Sequence, residues 1–382
     1  MELTDEKILI YTEDTHYGFT LCIMEILLRL DYKNLFLATY ENKYYVLKKT
    51  RPDLIEKIRF INLKNLPSFK NNPMIRIYNA FHNYQKISGV INNENIKKII
   101  FLESNEVLFK IFNSIKSFRN AEKILVVHNL NDFISYKIIK KFFFEYKLRK
   151  STFFDRIFFK KMNKFVVLNE TLKQNFELYF DKKVYVLPFR IAENQIIKAR
   201  SNFLLKRLPI LKFTVPGFVH CDKKNYKEII DSFKKFSKDD YILTFLGKVV
   251  DYNVVRYAIE NGVNVKYYID YVSEEEFRKE MIESHFLLGI ISDKLPYGLF
   301  KTSGIEFEGP SFGIPTIVNN ENIISEKGIF IYTDNLQDTL KKIFEDFKDG
   351  LYYEKYGKPA YEKMFSNTLE NYLDIMKRIL EE

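Results

Sequence analysis

Short runs of consecutive apolar residues recur along the chain, separated by longer segments whose apolar positions fall at helical spacing. In the first half the runs are 7–11, 35–39, 59–63, 99–102, 124–127, 165–168 and 184–187. Apolar runs of roughly four to eight residues bounded by turn residues mark strands buried on both faces, as in parallel sheets covered by helices. Between 64 and 98 the pattern predicts an Asn- and Pro-rich loop and then a helix. The first strand passes through the loop 12–18 into an apolar-periodic helix reaching Leu30, and a glycine there, Gly18, suits a doubly wound domain whose ligands gather at the carboxyl ends of its strands. No G-x-G-x-x-G follows the strand, so the dinucleotide fingerprint is absent.

A second alternation begins after 188–209, which opens on Leu-Pro-Phe, loses periodicity and ends in Leu-Lys-Arg-Leu-Pro. Its strand runs are 211–215, 241–246, 265–271, 286–291, 316–318 and 329–332. A helix is predicted from near Lys224, and Ser273 with Glu276 forms a capping box for another. The expected division is therefore 1–190, a linker 191–209, 210–350, and helices 351–382 that return to the first domain. The fold class is α/β, with two Rossmann-like doubly wound domains. The stripe Leu369, Tyr372, Leu373, Met376 and Leu380 suits the last helix to that docking.

The most informative stretch is 298–320, GLFKTSGIEFEGPSFGIPTIVNN, which follows the predicted strand 286–291 and runs into the next, 316–318. Its pattern predicts a turn, a short helix and a strand. Ser303 is placed as N-cap, with the N–H groups of Ser303, Gly304 and Ile305 unpaired. Such a helix start attracts phosphate, and Lys301 and Thr302 stand beside it. Glu308, four residues after Gly304, lies one turn inward, where a carboxylate can accept hydrogen bonds from a ribose diol. Pro310 removes one N–H within the helix.

Ser303-Gly304, Glu308 and Gly313-Ile314-Pro315 together resemble the donor-binding segment of GT-B glycosyltransferases, in particular the large retaining family 4-like group. The resemblance implies two Rossmann-like domains facing across a cleft, with the serine-glycine backbone on the donor diphosphate and the glutamate on the ribose. Val127-His128-Asn129, the strand 165–168 with Asn169-Glu170, and Val186-Leu187-Pro188 are similar to pieces of the N-terminal domain of these enzymes. Pro216-Gly217-Phe218 with Lys223-Lys224-Asn225-Tyr226 is similar to the opening of the C-terminal domain. Tyr271 and Val272 resemble the segment whose backbone meets the nucleobase. The likeness covers most of 120–335. It departs from the family where Phe300 holds the place of a first glutamate and where Phe218 holds that of an arginine.

Composition narrows the setting. Of 382 residues 46% are hydrophobic and 29% charged, a globular balance, and the net charge is +10. Between Lys137 and Lys164 ten Lys or Arg face only Glu145 and Asp155, a net of +8 among many phenylalanines. This segment, 137–164, is expected to meet an anionic membrane surface; a core helix with a solvated basic face is the other reading, and nucleic acid is not expected as a partner. Cys22 and Cys221 have no metal-type spacing, which points to a reducing cytoplasm. The acidic, strand-like start is unlike a signal peptide, and no run is long enough to span a bilayer. A cytoplasmic protein, peripheral on the inner membrane face, is expected.

Glycosyl transfer needs stabilisation of a leaving diphosphate and placement of an acceptor hydroxyl. The resemblance assigns the first to Lys301, Thr302, Ser303, Gly304 and Lys224, with Glu308, Tyr271, Val272 and Gly18 completing the donor set. No Asp-x-Asp pair is present, so no metal and no cofactor is expected, the nucleotide-diphosphate sugar being substrate. For the second, His128 at a strand end can contact the sugar or act as base, and Glu13, Asp14 and His16 in the first strand–helix loop are candidate bases. The implied activity is sugar transfer to a lipid-linked or saccharide acceptor in envelope polysaccharide or glycolipid synthesis. A GT-B-fold sugar-nucleotide epimerase and a catalytically degenerate partner subunit remain as alternatives.

Overall fold

The computed structural model of the protein describes residues 5–13, 17–66, 72–102, 118, 121–130, 153–188, 190–206, 209–221, 224–292, 303–321 and 329–382. Two compact units divide the chain: Met1–Phe189 with Tyr372–Glu382, and Arg190–Asn371.

Among the described residues the first unit holds a seven-stranded sheet. Its strands are β1 (Lys7–Tyr11), β2 (Asn34–Tyr40), β3 (Arg59–Leu63), β4 (Lys98–Phe101), β5 (Glu122–Val127), β6 (Lys164–Val167) and β7 (Val184–Val186). All pair in parallel, in the order β3-β2-β1-β4-β5-β6-β7. Ile8, Leu9 and Ile10 are buried in succession, as a strand covered on both faces requires. Helices α1 (Tyr17–Arg29), α2 (Glu41–Thr50), α3 (Pro52–Ile55), α4 (Pro73–Asn93), α5 (Phe153–Lys160) and α6 (Glu170–Glu177) lie between the strands in sequence.

Among the described residues the second unit repeats the plan with six strands, β8 (Leu211–Pro216), β9 (Tyr241–Lys248), β10 (Val265–Tyr268), β11 (Phe286–Gly289), β12 (Thr316–Val318) and β13 (Phe330–Tyr332), in the order β10-β9-β8-β11-β12-β13. Its helices are α7 (Asn194–Leu204), α8 (Tyr226–Phe233), α9 (Tyr252–Glu260), α10 (Glu274–Ile282), α11 (Ile305–Phe312), α12 (Leu336–Lys348) and α13 (Lys358–Lys363), and α14 (Leu369–Glu381) ends the chain. Both sheets thus carry the doubly wound order, and in each the order reverses beside the first strand: between β1 and β4, and between β8 and β11.

Three expectations change. The segment 191–209 holds α7 and belongs to the second unit. Its periodicity is masked because a buried position is occupied by Arg200, which is fully buried. The Arg200 guanidinium donates to the carbonyls of Gly313 at 3.1 Å, Ile282 at 2.7 Å and Ser284 at 2.6 Å. One cation thereby serves the carboxyl ends of both α10 and α11, where the helix dipoles favour positive charge. Second, 351–371 stays with the second unit, and only Tyr372–Glu382 joins the first. There Lys164 of β6 donates to the Ile379 carbonyl at 2.8 Å, while Tyr372, Met376 and Leu380 are buried.

Third, the basic segment 137–164 does not stand wholly at a surface. Residues 137–152 lie outside the described residues. Phe158, Phe159 and Met162 are core residues; the Phe159 ring stacks 4.3 Å from Phe165. Lys164 is also buried, paired with Glu122 at 2.7 Å. Helical spacing and high positive charge do not reveal which rings a sheet will cover.

Candidate functional site

The carboxyl edge of the second sheet is shaped by close backbone approach. β8 ends at Pro216, and Gly217 adopts φ +92°, a conformation that favours glycine. Beside it, a Cβ at Gly247 of β9 would overlap the Gly217 carbonyl. Lys224 bridges Ile291 just beyond β11, and its Nζ donates to the Pro216 carbonyl. Asn225 donates its backbone N–H to the Ile290 carbonyl at 3.1 Å and caps α8 by accepting from Glu228 N. Lys224 is thus held between β8 and β11, where the strand order reverses. Asn319, after β12, accepts from Ile291 N and donates to Ile291 O, each at 2.9 Å, fixing the chain that leaves β11.

The start of α11 differs from expectation in one respect. Gly304, not Ser303, is the N-cap, and the Ser303 N–H is taken by the Glu306 carboxylate at 2.6 Å. Glu306 is 4% exposed and lies three residues on, the spacing of a capping box. The open donors are therefore Gly304 and Ile305, whose N–H groups have no partner among the described residues. Gly313 closes the helix in the left-handed region at φ +61°. Gly289 at the end of β11 lets α11 lie close: a Cβ there would stand 3.0 Å from Ile305 and 3.1 Å from Val318.

Glu308 is half-buried one turn inside α11. A Cβ at Gly304 would stand 3.7 Å from its Oε1, so the glycine keeps the carboxylate approachable. Burial raises the Glu308 carboxyl above the usual carboxylate range; Arg190 and Lys224 pull it down and Glu274 pushes it up. Lys224 and Glu308, distant in sequence, are therefore neighbours in one electrostatic field. Arg190 escaped the sequence reading because nothing local marks it. Its guanidinium pairs with Glu274 at 3.0 Å and lies 4.9 Å from the Phe312 ring centre and 5.2 Å from that of Phe277.

Beyond β8, β9 and β10 an aromatic group forms. Tyr271 is 72% exposed and meets Phe218 edge-on, with ring centres 5.7 Å apart. Lys248 Nζ lies 5.1 Å from the Tyr271 ring and 3.0 Å from Asp270, which also accepts the Tyr271 N–H. Val272 is half-buried. Phe218 and Lys248 were not read as site residues; the Pro-Gly-Phe exit from β8 was the available signal for the first.

In the first unit, His128 follows β5; its Nε2 lies 2.9 Å from the Leu102 carbonyl beyond β4, and its ring meets Phe19 edge-on. Glu13 is buried beyond β1, where Tyr11 donates its hydroxyl to the carboxylate. His128 and Glu13 therefore follow strands of the same carboxyl edge. Gly18 is exposed at the start of α1, with open space where a Cβ would stand. Asp14, His16, Lys301 and Thr302 lie outside the described residues. Among the described residues no three His, Cys, Asp or Glu side chains converge as metal ligands, and no helix is long and apolar enough to cross a membrane.

No protein-family model matches the sequence, and no curated protein matches it either. Solved structures match in fold. A glycosyltransferase from Rickettsia africae superposes with a TM-score of 0.66 at 13% identity, over 99% of this chain and all of that one. Anabaena HepE in complex with UDP and glucose gives 0.65 at 13% identity, over 99% and 100%. A UDP-GlcNAc 2-epimerase from Neisseria meningitidis, bound to UDP-GlcNAc, gives 0.63 at 14% identity, over 98% and 99%. The chain has the fold these proteins share, with two Rossmann-like domains.

Proposed function

We propose that this GT-B-fold chain is a glycosyltransferase that moves a sugar from a nucleotide-diphosphate donor to a lipid-linked or saccharide acceptor, in synthesis of cell-envelope polysaccharide or glycolipid. The observation that carries the proposal is the placement of Lys224 at the β8–β11 reversal, and of Glu308 one turn inside α11, whose start leaves the amides of Gly304 and Ile305 open. A nucleoside diphosphate has the matching sequence of groups. Its phosphates meet the amides and Lys224, with Lys301, Thr302 and Ser303 alongside; its ribose meets Glu308; its base meets the Tyr271–Val272 segment. Transfer then asks for stabilisation of the leaving diphosphate, a task for preorganised donors and a cation and, in this reading, for no metal.

In the first unit His128 either contacts the sugar or removes the acceptor proton, with Glu13, Asp14 and His16 as the other candidate bases and Gly18 opening the loop to ligand. The basic segment 137–164 would bring a cytoplasmic protein to the anionic inner face of the membrane.

Because proteins of this fold have been solved with UDP or UDP-GlcNAc, uridine nucleotides come first in the test. Thermal shift and calorimetry with UDP, GDP and their sugars should show a preferred nucleotide. Glu308→Ala should weaken it by roughly 10- to 100-fold, the loss of one or two hydrogen bonds to a charged group, with far-UV circular dichroism unchanged. Unchanged affinity would remove Glu308 from the site.

The likeness to an epimerase supports a second reading. Release of UDP from UDP-GlcNAc without any acceptor would favour it, and a chain that binds no nucleotide would be a degenerate partner subunit.

A further inference from the structure

The helix α4 is apolar on two faces. Ala80, Tyr84, Ile87 and Ile91 form its buried stripe. A second stripe, Met74, Ile77, Tyr78 and Phe81, has the i, i+3, i+4, i+7 spacing of a docking face and remains exposed, Met74 to 75% and Tyr78 to 60%. Ile75 beside it is exposed as well. A surface helix ordinarily turns charged residues outward, so four large apolar side chains along one outer stripe call for a partner.

Charge decides which partner. Between Leu63 and Glu94 the sequence holds four Lys or Arg and no Asp or Glu. Lys64 Nζ lies 4.9 Å from the Tyr78 ring centre. Lys86 donates to the Asn62 carbonyl on the same chain crossing. Burial, and after it both lysines, lower the pKa of His82, next to Phe81, in keeping with the contact of Lys64 on Tyr78 of the stripe. A second copy docked on this face by a two-fold axis would bring lysines against lysines with no carboxylate between them. An anionic lipid surface answers both features, taking the cations at its headgroups and the side chains below them.

We propose that the outer face of α4 is a docking surface for an anionic lipid bilayer, with Met74, Ile77, Tyr78 and Phe81 inserted at the acyl boundary and Lys64 and Lys86 at the headgroups. Its residues are other than those of the basic segment 137–164, and its occupancy is independent of sugar transfer. It is therefore read with no nucleotide or acceptor present.

The test is co-sedimentation of the full chain with vesicles of phosphatidylcholine alone and of phosphatidylcholine mixed with phosphatidylglycerol. The parent should sediment with the mixed vesicles only. Met74→Ser/Tyr78→Ser and Lys64→Glu/Lys86→Glu should each lower the bound fraction at equal lipid by about tenfold. Melting temperatures should match the parent's, since the serine positions are exposed; if the lysine pair lowers them, the serine pair alone decides. Capture of both variants at the parent's level, or no capture of the parent by mixed vesicles, would overturn the proposal. So would light scattering that showed a parent dimer dissociated by the serine pair without a change in vesicle binding.

Discussion

The two sheets run through the same strand order, yet their carboxyl edges are finished in different materials. At the edge of the second, backbone meets backbone: Gly217 at φ +92° packs against Gly247, Gly304 leaves room over Glu308, and Lys224 donates to the Pro216 carbonyl. At the edge of the first, side chains occupy the space, with Tyr11 on Glu13 and His128 against Phe19 and the Leu102 carbonyl. The difference teaches a division of labour. An edge of amides and small residues suits a ligand rich in phosphate oxygens, while an edge carrying an imidazole and a carboxylate suits proton transfer.

The comparison is most severely tested at His128. If the first edge handles the acceptor proton, His128→Gln should lower kcat by about 10²- to 10⁴-fold while nucleotide affinity stays at the parent's value. Steady-state kinetics with calorimetry separates the two quantities. A fall in affinity with kcat preserved would place the histidine's effect on the donor side and blur the division.

Next in size is Gly247→Ala. Its Cβ would overlap the Gly217 carbonyl, and backbone cannot give way as a long side chain does. A loss of roughly 1–3 kcal/mol in unfolding free energy is expected, together with loss of nucleotide binding as the β8 exit moves. Chemical denaturation with and without nucleotide measures both. A parent-like protein would mean that the second edge tolerates side chains after all.

A smaller effect, with a sign that runs against intuition, belongs to Glu308. Burial raises its carboxyl above the ordinary range. The stabilising contribution of the group is then complete below the unfolded-state pKa, where it is protonated, and is lost as pH rises through the higher folded-state value. Glu308→Gln keeps the shape without the charge. It should melt slightly above the parent at pH 7, the gap closing as pH falls below the ordinary carboxylate range, while its nucleotide-induced shift shrinks. A variant that gains stability as it loses ligand marks a carboxylate kept for binding.

Much of the architecture was legible because parallel strands buried on both faces read as plain apolar runs; β1, β3 and β12 fall where the runs lie. What escaped were pairings that no local pattern encodes. Arg200 occupies a core position because it reaches three carbonyls around Ile282 and Gly313, far along the chain, so its helix looked like a linker. Arg190 stacks on Phe277 and Phe312 by the same kind of long-range closure. Glu306 is a different case. Its spacing from Ser303 equals that of Glu276 from Ser273, and the rule that identified the second box was available for the first. The same spacing is used differently: Ser273 accepts from Glu276 N, whereas at Ser303 the glutamate carboxylate takes the serine N–H.

The smallest expected effect falls on Gly18 and bears most directly on what a glycine at a strand–helix junction is for. Unlike Gly247, it has open space where a Cβ would stand, and it sits in the first turn of α1 without a left-handed φ. Folding therefore does not require glycine there, and Gly18→Ala should stabilise the chain by about 0.5 kcal/mol through a less flexible unfolded state. A ligand approaching the loop would meet the new methyl. Weaker binding of donor or acceptor in a protein of equal or greater stability would assign the glycine to the site, and unchanged binding and kinetics would leave it a residue of the helix start. Set against Gly247→Ala, where fold and binding should fail together, this substitution separates a glycine required by packing from one required by access.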